Sequence, residues 1–185
     1  MKLQHKAWGL ILLAVAVCAG GALVGVRTIV QDSFSRLETE HAEREGERAK
    51  RVLNQQVQGL SATTQDYAYW DDAVEFVRGQ RPSFLSENFD TDNMGYLRIS
   101  DVLVIDRQGR VLSTVKRESA ERLSRMTDER IGPLRELALQ VLAGTDPKAV
   151  LQTLRVVEGE LEIVIAAAVR QPGLQDGAAQ GVMVM

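Results

Sequence analysis

Cysteine and histidine are nearly absent. Cys18 is the one thiol, and His5 and His41 are the two imidazoles, in 185 residues. That leaves no zinc-ligand set, no Cys/His dyad and no disulfide framework. No glycine-rich phosphate loop occurs, and no serine sits in a G-x-S-x-G elbow. The formal net charge of −3 is mild and shows no basic patch for nucleic acid. There is no internal repeat and no low-complexity linker. The chain is therefore expected to carry no catalytic residue, no metal and no cofactor of its own.

Aromatic residues are also scarce, at 5% of the sequence. Against that background "DYAYWDDAVEFV", residues 66–77, gathers Tyr67, Tyr69 and Trp70 beside Asp71 and Asp72. Two readings compete. The aromatics pack on a sheet while the aspartates face water, or the segment is a pocket wall. Aromatic walls with a few fixed polar groups suit small-molecule sites, and carboxylates beside aromatics suit a ligand bearing an ammonium group. Adjacent helical residues point about 100° apart, so only one of the two aspartates can face a pocket or fix a nearby loop. Asp71 is the favoured one. Tyr96 and Asp101, in "NMGYLRISD", complete the candidate ligand contacts. Around them "DTDNMGYLRISD" has a calcium-loop outline, but Met94 stands where an oxygen ligand belongs and Asp101 where a glutamate does; it reads as a turn.

The longest apolar stretch is N-terminal. After "MKLQHK" the chain is uncharged from Ala7 to Val26, and Arg27 closes the run. Such a run predicts a transmembrane helix over 7–26, since about 20 residues match the hydrocarbon thickness. A cleaved secretory signal is the rival, because "CAGGALVGV" offers small residues. A lipid anchor at Cys18 is disfavoured by Val17 before it. Lys2 and Lys6 place residues 1–6 in the cytoplasm and residues 28–185 outside it.

From Ile29 to Val77 apolar residues fall at threes and fours, which predicts one long helix. Its seam nearly vanishes across "ETEHAEREGERAKR", a charged face with i,i+4 pairs. Phe34, Leu37, Val52, Val57 and Leu60 supply the seam of a parallel homodimer stalk over 27–65. The sensor-sized remainder, 66–185, holds period-2 strands. "DVLVIDRQGRVLSTV" reads as a hairpin turning at Gly109. "SAERLSRM" reads as a short helix. "PLRELALQVLAG" reads as a helix opening at Pro133 and closing at Gly144. "VLQTLRVV", "LEIVIAAAV" and "GVMVM" read as three strands. The fold class is α+β, with a PAS-like antiparallel sheet of about five strands packed on helices. "GVMVM" has no turn or cap behind it, and a domain rarely stops inside a strand, so further chain is expected beyond this sequence.

These residues carry a resemblance. "YAYWDDAVEFV", then "NF", then "LVIDRQGRVL" is similar to the fourth subtype of the CHASE sensor domains, over about residues 45–185. That family shows a Trp-Asp-Asp motif near the end of a long helix, followed by a loop and an I-D-x-x-G-x-V hairpin. The resemblance implies a periplasmic sensor for an unknown small-molecule ligand, between two spans of the inner membrane. It also implies a cytoplasmic output such as a diguanylate cyclase, a c-di-GMP phosphodiesterase or a histidine kinase. A chemoreceptor sensor and a membrane-anchored scaffold remain the alternatives.

Overall fold

A computed structural model describes residues 2–144, 146, 150–171 and 178–185; the side chains of most residues between 2 and 40 lie outside that description. The chain divides into two compact units, Met1–Leu53 and Asn54–Met185. Helix α1 (Lys2–Ala68) supplies the backbone of the first and gives its last turns to the second. Among the described residues no helix is long and apolar enough to cross a membrane. The expected span over 7–26 thus has no support from the structure, and most of its side chains lie outside the described residues. His41–Val52 is exposed throughout, as the charged face requires.

In the second unit three short helices follow α1: α2 (Asp71–Val77), α3 (Phe84–Asn88) and α4 (Thr91–Leu97). Then come β1 (Asp101–Asp106), β2 (Val111–Ser119), β3 (Arg122–Ser124), α5 (Asp128–Ala143), β4 (Val150–Val157), β5 (Glu160–Val169) and β6 (Gly181–Val184). The strands form one antiparallel sheet in the order β3-β2-β1-β6-β5-β4. The first and last strands of the domain are therefore central neighbours.

Strand alternation sends side chains to two cores. Val102, Val104, Ala167, Val169 and Met183 face the α1–α4 side, where Phe84, Phe89 and Met94 are fully buried. Leu103, Ile105, Ala166, Ala168 and Val182 face α5, which covers them with Leu134, Ala138 and Val141. With both faces covered, β1, β5 and β6 read as near-continuous apolar runs. At the heart of the sheet Gly181 has no side chain to spare: a Cβ there would press on the Ile105 carbonyl and lie 3.1 Å from Val77.

The hairpin after β1 forms as its sequence predicts. Gly109 takes φ 75° and donates to the Asp106 carbonyl at 3.0 Å. The Asp106 carboxylate is buried, yet it accepts from Gln108 N and Arg110 N at 2.9 Å and from Arg110 Nε at 2.6 Å. Burial alone would raise its pKa, but these donors outweigh it and hold the carboxyl below its ordinary value of 3.8.

Four expectations need correction. The sheet has six strands rather than about five. The added strand, β3, lies in "SAERLSRM", which is not a helix: after Ser119 the chain turns back and Leu123 pairs with Arg117. The long helix does not run to Val77. It stops at Ala68, and Trp70 adopts an extended conformation (φ −75°, ψ 143°) before α2 begins. Asp71 and Asp72 then occupy the first turn of α2, where carboxylates suit the positive end of the helix dipole. Finally, α5 starts at Asp128, with Pro133 inside it, and Gly144 is the C-cap with φ −66° rather than a left-handed residue. A proline there removes one backbone donor. The turn before it is held instead by Arg130, whose guanidinium is anchored to Asp101 and Glu162.

Candidate functional site

The six candidate ligand contacts fall in two separate places. Tyr67, Trp70, Asp71 and Asp72 lie at the break between α1 and α2. Tyr96 and Asp101 lie at the other end of β1. Arg170 follows Val169, which is in register with Gly181 and so with Asp106, and its backbone N–H donates to Ala68 O at 3.2 Å. The junction thus belongs to the Asp106 end of the sheet. Asp101 is five residues back along β1, roughly 17 Å at strand rise.

At the junction the aromatics are packing groups. The Tyr67 and Trp70 rings lie 4.6 Å apart, and Tyr67 lies 4.9 Å from Phe89. Burial, with the Asp66 charge assisting, pushes the Tyr67 phenol up from its ordinary value of 10.0. The two aspartates differ. Asp71 is exposed. Asp72 accepts from Arg81 Nη1 at 2.5 Å, and Arg81 Nη2 reaches Glu87 at 3.0 Å. The carboxylate that fixes a loop is therefore Asp72 rather than the favoured Asp71, and the loop is "RGQRPSF".

Sequence reasoning missed a cation here. Arg170 is 5% exposed at the end of β5. Its Nη2 donates to the Tyr69 hydroxyl, its guanidinium carbon stands 4.5 Å from the Tyr69 ring centroid, and its Nε is buried without a partner. Among the described residues no carboxylate pairs with it. A buried guanidinium with only a phenol for company is costly unless something balances it. The available signal was a charge directly after a seven-residue apolar run, "IVIAAAV" closing β5, where a strand end was expected to be a turn.

At the Asp101 end the surface opens into a cleft of about 670 Å³. Tyr96 and Asp101 both line it, as do Leu60, Leu161, Glu162 and Ile163. Tyr96 is 88% exposed, so it is a rim residue. Asp101 is anchored: Arg130 Nε donates to its Oδ2 at 2.9 Å, with Nη2 on the same oxygen. Arg130 Nη2 also donates to Glu162 Oε1 at 2.7 Å, and Arg155 Nε donates to Glu162 Oε2 at 2.8 Å. The hydrogen bond to Asp101, supported by Glu162, holds Arg130 above its ordinary range against burial. Burial raises the Glu162 carboxyl, but the two arginines outweigh it and set it below 4.5. Asp101 Oδ1 is left buried and without a partner.

Asp90, first in the calcium-like outline, is a helix cap: its Oδ1 accepts from Asn93 N at 2.7 Å and opens α4. Of the stalk residues, Phe34 and Leu37 have side chains outside the described residues. Val52 is exposed, Val57 is half-buried, and Leu60 packs on the domain's own core.

The six-stranded antiparallel sheet carries α2–α4 and the last turns of α1 on one face and α5 on the other, and no catalytic constellation is assembled among the described residues. The CHASE4 domain matches residues 52–185, well over half of the sequence, and the chain belongs to that family of sensor domains of signal-transduction proteins. No curated protein matches the chain.

Proposed function

We propose that the chain is the extracytoplasmic ligand-sensing region of a bacterial transmembrane signal-transduction protein. The CHASE4 match over 52–185 carries the reading. In it, residues 7–26 anchor the chain in the inner membrane, with Lys2 and Lys6 cytoplasmic and residues 28–185 periplasmic. Two chains associate in parallel through residues 28–60. A second span leads to a cytoplasmic output, a diguanylate cyclase, c-di-GMP phosphodiesterase or histidine kinase. The fragment itself catalyses nothing.

The ligand acts at the α1–α2 junction. Support comes from Arg170, a buried cation with an unpartnered N–H beside Tyr69. Trp70 and Tyr67, which flank Tyr69 in sequence, supply apolar surface at the same junction, and a small organic anion supplies the balancing charge. Binding signals only if it favours one of two arrangements of the helix break. The test is a thermal-shift screen of small carboxylates on the full chain in detergent, repeated with Arg170→Met. A carboxylate that raises the melting temperature of the native chain and not of the variant supports the reading. Equal shifts in both proteins, or none in either, overturn it.

A further inference from the structure

Arg170 and Tyr69 form a pair with a proton to spare on each side. The guanidinium stands over the phenol ring, 4.5 Å from its centroid, and Nη2 donates to the hydroxyl. Nε is buried and gives its proton to nothing. A hydroxyl that accepts still has a proton of its own to give, and Tyr69 gives it to no acceptor among the described residues. Nε and Nη2 hang on one guanidinium carbon, so the two spare protons are neighbours. One belongs to a cation and the other to a neutral group.

The surroundings limit what can take both. Arg170 is buried and brings one positive charge, which one negative charge balances; a second would be buried unpaired. The outer surface nearby is already negative. Asp66 and Asp71 are exposed there, and the Asp66 charge is felt at the Tyr67 phenol. The rest of the junction is aromatic, with Tyr67 stacked between Trp70 and Phe89. No carboxylate among the described residues is buried with Arg170, so an ammonium group on a ligand has no buried partner.

We propose that this pair binds the carboxylate of a monocarboxylic acid with an uncharged, apolar tail, one oxygen on Arg170 Nε and the other on the Tyr69 hydroxyl. The inference rests on the sensor reading above; it adds Tyr69 as a ligand-binding residue and narrows the ligand class. The phenol goes on accepting from Nη2 while it donates to the acid, so every donor in the cycle is satisfied. The alkyl or aryl tail lies on the junction's rings. The same carboxylate joins two elements. Tyr69 is the first residue past α1 and Arg170 the first past β5. The Arg170 backbone N–H already donates to Ala68 O, at the last residue of α1, at 3.2 Å. An acid held by both side chains favours the arrangement in which that bond is made.

Calorimetry on the full chain in detergent compares 3-phenylpropanoate with phenylalanine, phenyl phosphate and succinate. The native chain binds 3-phenylpropanoate more tightly than the other three. Tyr69→Phe keeps the ring under the guanidinium and weakens that binding by about tenfold, the worth of a hydrogen bond to a charged group; Arg170→Met abolishes it. One readout needs no variant: hydrogen exchange at the Arg170 amide slows when the acid is bound. The inference fails, and the reading of Arg170 as the ligand's partner stands, if Tyr69→Phe binds as tightly as the native chain while Arg170→Met does not bind. It also fails if phenylalanine or either dianion binds as well as 3-phenylpropanoate, if the Arg170 amide is unchanged with acid bound, or if the acid does not bind the native chain. Should Arg170→Met bind the acid as the native chain does, both fall.

Discussion

The two ends of β1 solve opposite problems. At the Asp106 end the α1–α2 junction is filled with rings beside Arg170, a buried cation with no carboxylate partner among the described residues. At the Asp101 end charges are plentiful and paired through Arg130, Glu162 and Arg155, with Asp101 Oδ1 left over, beside an open cleft. Where apolar packing is complete, the polar accounts are left open; where the polar accounts nearly balance, the packing is open.

The largest expected effect tests the packed end. Phe89→Ala should destabilise the domain by about 3–5 kcal/mol, because a fully buried ring leaves a cavity. Trp70→Ala should cost less, since Trp70 is only partly buried. Urea unfolding measures both; equal costs would mean that the junction is as tightly packed at its rim as in its centre.

Next comes the charged end. Arg130→Met strips Asp101 and Glu162 of their shared partner and should cost about 3 kcal/mol at neutral pH. The sign of its pH dependence follows from Glu162, whose carboxyl is held below its ordinary 4.5. That stabilisation is complete above pH 4.5 and is lost as pH falls through the folded-state value. The gap between native and Arg130→Met chains should therefore narrow below pH 4.5, which unfolding midpoints across pH would show. A gap independent of pH would assign the loss to packing.

The smallest effects separate the aspartates. Asp72→Asn breaks the pair with Arg81 and should cost up to about 1 kcal/mol, as a part-exposed ion pair does. Asp71→Asn should change stability by less than about 0.5 kcal/mol, being an exposed substitution without a described partner. Reversal of that order in thermal melts would restore Asp71 as the carboxylate that fixes the loop.

Strands and the glycine turn were legible because period-2 alternation and an Asp-x-x-Gly signal are local. The break at Trp70 was not. Tyr67, Trp70 and Val74 keep helical spacing on both sides of it, so periodicity passes over a single extended residue. Strand β3 escaped because three residues are too few to show alternation, and "AERL" has helix-forming composition. Four of the six candidate ligand residues do share the junction. Their partners Arg81 and Phe89 lie beyond the helix break, and the pairing of Tyr69 with Arg170, a hundred and one residues on, leaves no local trace.

The sheet order has a consequence for the time course of folding. Strands β1–β3 are contiguous in sequence, as are β4 and β5, so each group can form its hairpins early and locally. Nothing joins the two groups in the sheet until Gly181–Val184 arrives between them. The contacts that complete the sheet span some eighty residues, from Leu103 to Val184, and long-range pairing of that kind is the slow step of β-rich domains. On a ribosome the domain stays two half-sheets with exposed central edges until its last strand is released, and that interval is when it is open to mispairing with a neighbouring chain.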